Sequence, residues 1–563
     1  MYKKSLNSRL YLIFLFFILS LSFLVTRLIY VQIFRSPKLK VLASGQYKIF
    51  TEIQPKRGTI FDRNLKELAV NAISYSIFAT KEFSNEEKTR DKLVAVLKLE
   101  KNYLAAKLNS DKNFIWLKRK VNPKVSRKIR NLNLSGIGQL KEYKRLYANG
   151  SLASHLIGFT DIDNKGLEGI ELYYDSYLSG IKGWRLAQRD AKRRELIVWG
   201  YKAIEPCDGY NLVLTIDSVI QNIAESHLRK AARKYKATSA TAIVMDPRSG
   251  EILALCNYPD YDLNSYQDYE VNARRNLALT DIIEPGSSFK FVLAAAALEE
   301  KQVKPEDIIF CEEGQYRIGR RVLHDYRPYG KLSFKEVIER SSNIGVVKVA
   351  QTLGSEVLYS YIKKFGFGNL TGMGLPGEVK GILRSPNKWS SISITSVPIG
   401  QEVAVTPLQL ISAISCVAND GVLLKPKILR SIQRQNGEII KSFPTQEVRR
   451  VISIETARTL KEILAGVVEN GTGKRAKVPG HKTAGKTGTA QKAKPKGGYY
   501  KHKYVSSFIG FVPADEPVIS ILVIVNEPRL EHFGSRVCAP VFKKIATETL
   551  RYLEMSNELK RVD

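Results

Sequence analysis

Residues 10–26 form an uncharged, largely apolar run rich in Leu, Phe and Ile, and this stretch constrains the chain before anything else. About 17–25 such residues cross a bilayer as a helix, because a helix satisfies every backbone polar group inside lipid. Arg27 interrupts the run and Leu28 to Phe34 continue it; an arginine near a helix end can snorkel to the interface. Lys3, Lys4 and Arg9 precede the run, whereas Arg27, Arg35, Lys38 and Lys40 follow, so charge counting alone leaves orientation open. No small-x-small cleavage signal closes it, and no second stretch of comparable length occurs. The expectation is a tail at 1–9 and an uncleaved, single-pass signal anchor at 10–34, with the rest outside the membrane. A cleaved signal peptide is the alternative.

The chain has 563 residues, more than one ordinary core holds, so several domains are expected. Its formal net charge of +33 favours anionic surroundings, although a general lysine-rich surface is the plainer reading. No zinc knuckle, recognition helix or aromatic–basic box stands out, so no nucleic-acid partner is expected. Cys207, Cys256, Cys311, Cys416 and Cys538 are odd in number and widely spaced, which argues against a disulfide framework. The six histidines form no HExxH, so neither a metal nor an organic cofactor is expected.

Residues 40–205 read as a mixed region. Arg57 to Asn64 looks like a strand entering a turn, and Gly166 to Glu171 like a second turn beside a core. Residues 84–146, rich in Lys, Arg, Asn and Leu, suggest a helical, solvated subdomain. From Asn211 the pattern changes. A strand is expected over Asn211–Asp217, then a helix from Ser218. Two short apolar runs, 240–245 and 251–256, flank a turn at Asp246–Gly250; a second pair lies at 505–512 and 518–525. The stretch 287–470 reads as helical. Strand pairs at both ends with helices between predict an α+β domain whose sequence ends meet in one antiparallel sheet. The basic segment Lys492–Lys503 reads as a solvated, mobile loop.

Three short elements carry chemistry. In Glu284-Pro285-Gly286-Ser287-Ser288-Phe289-Lys290, an alanine-rich stretch follows, so Ser287 is placed at a helix's first turn. Ser287 and Lys290 are then i and i+3 and share a face. A serine hydroxyl is a weak nucleophile until a base takes its proton, and lysine is a base only where burial or nearby positive charge lowers its pKa. Ser341-Ser342-Asn343 supplies a hydroxyl and a carboxamide that could relay a proton and hold an amide; alone, it is a common polar turn. Lys486-Thr487-Gly488-Thr489 reads as an exposed edge strand at which another backbone can approach closely.

In this order, SxxK, SxN and KTG resemble the signature of penicillin-binding proteins and class A β-lactamases. The resemblance runs over nearly the whole chain to class B penicillin-binding proteins. Arg57–Asn64 and Gly166–Glu171 look like pedestal motifs. Arg145-Leu146-Tyr147-Ala148 resembles a third, with Ala148 where proline is usual, and Thr406–Leu410 resembles a motif of the catalytic domain. The resemblance implies an elongated, non-catalytic pedestal (dimerisation-like) domain at 40–205. A serine β-lactamase/D,D-transpeptidase-like domain at 211–555 would follow. It implies Ser287 as nucleophile, Lys290 as its base, Ser341 as proton relay, Asn343 as acyl-chain guide and Lys486 as electrostatic support. Thr487, Gly488 and Thr489 would bind substrate, with the Ser287 and Thr489 N–H groups as oxyanion hole. The implied substrates are peptidoglycan stem peptides, with β-lactams as covalent inhibitors. The implied partners are a glycosyltransferase using lipid-linked precursor and divisome membrane proteins. The implied location is the bacterial cytoplasmic membrane, with the catalytic domain on its outer side. Glu284-Pro285-Gly286, Leu279-Thr280-Asp281, Phe533-Gly534 and Ala539–Phe542 look like the septal, cell-division branch. The alternatives are an elongation-type transpeptidase, a D,D-carboxypeptidase or β-lactamase, and a β-lactam sensor of the same fold.

Overall fold

The computed structural model describes residues 2–562 except 82, 84, 85, 110, 111, 190–194, 197–202, 320, 495 and 496. The chain divides into two compact units: residues 1–56 with 180–208, and residues 57–179 with 209–563.

The first unit holds the apolar run. It is helical over Tyr2–Ile29 and passes through a π turn, Tyr30–Phe34, into a second helix, Ser36–Tyr47. Within Asn7–Phe34 an 18-residue window reaches a mean hydropathy of 2.5, and the helix is long and apolar enough to cross a membrane. Arg27 and Arg35 both lie over the ring of Tyr30, as suits cations at the end of such a span. In the same unit Lys48–Ile53 pairs with Gly183–Arg189.

The second unit is built on two sheets. The five-stranded sheet is antiparallel and runs Ile252–Tyr258, Ser239–Met245, Ile519–Asn526, Tyr499–Val512, Ala484–Ala493. The pairing of Ser239–Met245 with Ile519–Asn526 brings the two sequence-distant strand pairs together, as the sequence predicts. Side chains alternate across a strand. Ile243, Met245, Leu522 and Ile524 accordingly enter one core, while Ala242, Val244, Ile521 and Val523 enter another. The second core is closed by the helices Ser218–Lys234 and Ala539–Val562, through Ile220, Leu228, Phe542 and Ile545. The first is closed by Lys290–Glu299, Pro407–Ala418 and Ile454–Glu469, all strongly buried.

The seven-stranded sheet departs from the sequence reading. The strand expected over Asn211–Asp217 ends at Leu214 and belongs to the seven-stranded sheet. It runs parallel to Ile60–Phe61 and antiparallel to Leu429–Gln433. Glu67–Thr80 then pairs with both Phe114–Val121 and Ile137–Tyr147. Residues 84–146 are therefore not a solvated helical subdomain. Two strands and three helices enclose a core of Ile77, Leu93, Leu97, Leu104, Leu117 and Ile129. Charged residues dominate this stretch because its elements are short and expose one face each, which hid the period-2 pattern. The stretch 287–470 likewise contains short hairpins, such as Gln315–Ile318 with Arg321–His324, among its helices. Lys492–Lys503 is mostly hairpin strand rather than free loop: Ala493 pairs with Tyr499, and Lys492 and Lys503 both bind Glu527. Residues 495 and 496 lie outside the described residues.

Three segments distant in sequence meet at a buried carboxylate. Glu171 is fully buried; its Oε2 accepts from Arg57 Nε at 2.7 Å and its Oε1 from Arg145 Nε at 2.6 Å. Arg57 also binds Asp175 at 2.7 Å, and Arg145 Nη1 donates to Gly58 O at 2.8 Å. What the composition presents as turns is thus an ionic clamp, and a buried charge of this kind persists only when paired.

Candidate active site

Ser287 does not sit in the first turn of an α-helix. It lies in a 3-10 turn, Gly286–Phe289, and the α-helix begins at Lys290. Gly286 has φ +57 and its N–H donates to Gly400 O at 3.0 Å, so the chain doubles back sharply just before Ser287. Ser288 closes the turn by donating to Pro285 O at 2.6 Å. Ser287 is half-buried, while Gly286 before it and Ser288 and Phe289 after it in the same turn are buried and fix its place.

Lys290 is completely buried. Its Nζ donates to Ser341 O at 2.7 Å, to Asn343 Oδ1 at 2.8 Å and to Ser341 Oγ at 3.3 Å. An ammonium has three protons, and these contacts engage all of them rather than Ser287. Burial pushes the Lys290 ammonium down to about 7, against the opposing pull of Asp325.

Ser341 follows the helix Phe334–Glu339 and has φ +60, a left-handed conformation that costs a non-glycine residue on the order of 1–3 kcal/mol. That backbone aims both its carbonyl and its hydroxyl at Lys290. Ser342 caps the next helix, Asn343–Leu353, by accepting from Gly345 N. Asp325, which the sequence reading passed over, holds the cap. It accepts from Ser342 Oγ at 2.6 Å, from Ile344 N at 3.1 Å and from the N–H of Asn343. The preceding residue, His324, accepts from Asn343 Nδ2 at 2.9 Å, so both polar ends of that carboxamide are fixed. Asp325 and Asn343 are well separated in sequence and in different elements; the only clue was that a helix N-terminus needs acceptors.

Lys486 lies on Ala484–Ala493, which forms the edge of the five-stranded sheet as expected, although Lys486, Thr487 and Gly488 are buried there rather than exposed. It is completely buried and its Nζ donates to Ser341 Oγ at 2.9 Å. Burial and the neighbouring Lys290 both hold its ammonium well below the usual lysine range. The Ser341 hydroxyl is therefore contacted by two lysines from opposite sides of the site. A Cβ on Gly488 would lie 2.2 Å from Ser507 Oγ and 3.0 Å from Pro285 O, so only glycine lets this strand approach the turn that bears Ser287. Thr487 Oγ1 is 2.8 Å from Thr472 Oγ1, and Thr489 Oγ1 accepts from Gly534 N at 3.0 Å. Thr472 was also missed, because it comes from a turn with no signal of its own; Gly534, noted in the sequence only with Phe533 as a branch feature, opens the short helix Gly534–Val537.

The penicillin-binding protein transpeptidase domain model matches residues 240–547, and the penicillin-binding protein dimerisation domain model matches residues 52–214. Stage V sporulation protein D of Bacillus subtilis is 35% identical over 99% of this chain and 88% of its own. The peptidoglycan D,D-transpeptidase FtsI of Escherichia coli is 31% identical over 96% of this chain and 90% of its own. Among solved structures, penicillin binding protein 3 of Mycobacterium tuberculosis complexed with aztreonam is 27% identical, with a TM-score of 0.71. That match covers 90% of this chain and 97% of the other. With matches of this length to both domain models and to whole relatives, the chain belongs to the class B penicillin-binding proteins.

Proposed function

We propose that this protein is a peptidoglycan D,D-transpeptidase working through an acyl-enzyme on Ser287, in septal wall synthesis during division. The observation that carries the reading is the convergence of Lys290 and Lys486 on Ser341, with Asn343 accepting from Lys290, beside the turn that bears Ser287.

The steps follow from that geometry. Lys290 in its neutral form has a lone pair and takes the Ser287 proton as Oγ attacks the carbonyl between two terminal D-alanines. The N–H groups of Ser287 and Thr489 receive the oxyanion. The C–N bond then breaks and the D-alanine amine leaves, taking a proton through Ser341 from Lys290. Lys486 supplies positive charge to that relay and to the donor's carboxylate, which Thr487 and Thr489 bind. Gly488 admits the donor backbone, and Asn343 aligns the acyl chain. An amine of a second stem peptide attacks the ester, loses its proton to the same relay, and releases Ser287. A β-lactam enters as the donor does and remains on the serine.

The reading extends to place and company. The helix over Asn7–Phe34 is a single-pass anchor, and the domain at 211–555 works on the outer side of the bacterial cytoplasmic membrane behind a pedestal at 40–205. The septal role is supported by similarity to FtsI and to a sporulation protein. A glycosyltransferase acting on lipid-linked precursor and divisome membrane proteins are its proposed partners. Mass spectrometry of the protein after penicillin treatment tests the core of this. The adduct is expected on the peptide containing Ser287 and absent from Ser287→Ala; an adduct elsewhere, or none, overturns it.

A further inference from the structure

Far from Ser287 in sequence, a pocket of about 400 Å³ opens between the strands Phe114–Val121 and Ile137–Tyr147, the loop 160–164 and the segment Leu263–Asp268. Four cations line it: Arg119, Lys120, Lys144 and Arg145. Two are already neutralised. Arg119 binds Glu142 and Asp163 at 2.8 Å each, and Arg145 binds Glu171. The lining carboxylates are Asp161, whose Oδ1 is taken by the N–H groups of Asp163 and Lys165, and the exposed Asp268.

Lys120 is different. It is half-buried, it adopts φ +52, and its Nζ donates at 2.7 Å to the neutral Asn164 Oδ1. Among the described residues it has no carboxylate at ion-pair distance, and neither has Lys144. Burial pushes the Lys120 ammonium down to about 8, against the opposing pull of Glu142, Asp163 and Asp161, none of which reaches ion-pair distance. Two further donors on residues of the lining lack acceptors. Arg145, with its side chain only 2% exposed, has Nη2 buried without an acceptor, and so does Arg119 at Nε. Buried donors without acceptors are uncommon and costly in a finished fold. A half-buried ammonium whose hydrogen-bond partner is neutral and whose carboxylates stand beyond ion-pair distance, in an open pocket, is what an oxyanion would complete.

We infer that this pocket is a second binding site, for a carboxylate- or phosphate-bearing anion, held chiefly by Lys120 and Lys144. The volume is larger than one oxyanion needs, so the bound molecule carries further polar atoms, up to about a dipeptide in size. The site is independent of the transpeptidation reading, since no residue of the catalytic cluster lines it.

The test is calorimetric titration of the full chain with sodium phosphate and, separately, with N-acetylglycine, each against sodium chloride at equal ionic strength. Saturable binding of either anion is expected. Binding of phosphate alone assigns a phosphate group, and binding of N-acetylglycine alone assigns a carboxylate. The Lys120→Gln/Lys144→Gln double variant is expected to bind at least tenfold more weakly while its rate of acylation by penicillin is unchanged. Lys144→Glu, a change at the exposed rim, is expected to weaken binding as well and guards against misfolding of the double variant. The inference is overturned if neither anion binds above the chloride control, or if binding survives in both variants.

Discussion

At the scale of single residues, the decisive fact is that Lys290 lies buried among neutral acceptors. Desolvation raises the free energy of its ammonium, and Asp325 recovers only part of that. The base is the neutral form, whose fraction rises with pH through a value near 7. The rate of acylation by a β-lactam is therefore expected to climb about tenfold per pH unit below that value and to level off above it. A pH profile of the acylation rate checks this; Lys290→Arg, which cannot lose its proton at these pH values, is expected to abolish acylation throughout. Ser341 is the second residue of this kind. Its left-handed backbone is strain held in place by the helices on either side, and it presents two acceptors to one lysine. Ser341→Ala keeps the carbonyl but removes the hydroxyl shared by Lys290 and Lys486. A loss of about 10²–10⁴-fold in acylation rate, the range for a positioned proton-transfer group, is expected in single-turnover kinetics.

At the scale of elements, the site depends on how helices and one strand are terminated or approached. The helix Asn343–Leu353 begins with free N–H groups, and Asp325 satisfies two of them while gripping the cap residue Ser342. Asp325→Asn keeps the shape and removes the charge. Charge-assisted hydrogen bonds are worth roughly 1.5–3 kcal/mol, so a fall of about 10–100-fold in acylation rate is expected as Asn343 loosens. Far-ultraviolet circular dichroism should stay unchanged, which separates positioning from unfolding. On the other wall, the strand Ala484–Ala493 must lie flush against the turn Gly286–Phe289. Gly488→Ala places a methyl 2.2 Å from Ser507 Oγ and 3.0 Å from Pro285 O. Overpacking of this kind costs about 1–3 kcal/mol, and the strand relieves it by moving away from Ser287. Penicillin labelling is expected to fall sharply while the thermal midpoint drops only a few degrees.

At the scale of the whole molecule, the second unit is tied together by contacts that ignore the order of the chain. The strand Asn211–Leu214 joins Ile60–Phe61 to Leu429–Gln433, so segments on either side of the expected domain boundary share one sheet. Arg57 and Arg145 converge on Glu171 with almost no exposure. Neutralising Glu171 leaves Arg145 charged and without an ion pair in a poorly solvated place, while Arg57 keeps Asp175, and breaking a buried pair costs roughly 3–5 kcal/mol. Glu171→Gln is expected to lower the thermal midpoint by several degrees, read by differential scanning fluorimetry. Acylation of the fraction still folded should be unaffected. A variant that loses acylation without losing stability would show that the clamp reports on the site instead.

The apolar N-terminal helix, the antiparallel pairing of the two terminal strand pairs, the edge position of Lys486 and the three short motifs were legible in the sequence. Each is a local property: a run of apolar side chains, an alternation of period two, a short spacing on one helix face. Three-dimensional structure decided the rest. It placed Ser287 in a 3-10 turn, since the reversal at Gly286 is made by packing against Gly400, more than a hundred residues away. It supplied the roles of Asp325, Thr472 and Gly534, whose residue types are common and which act only through neighbours from other elements. It turned the charged stretch at 84–146 into strands and helices around a small core. Above all it lowered the proton affinity of Lys290, because only the folded chain can strip water from an ammonium and surround it with neutral acceptors.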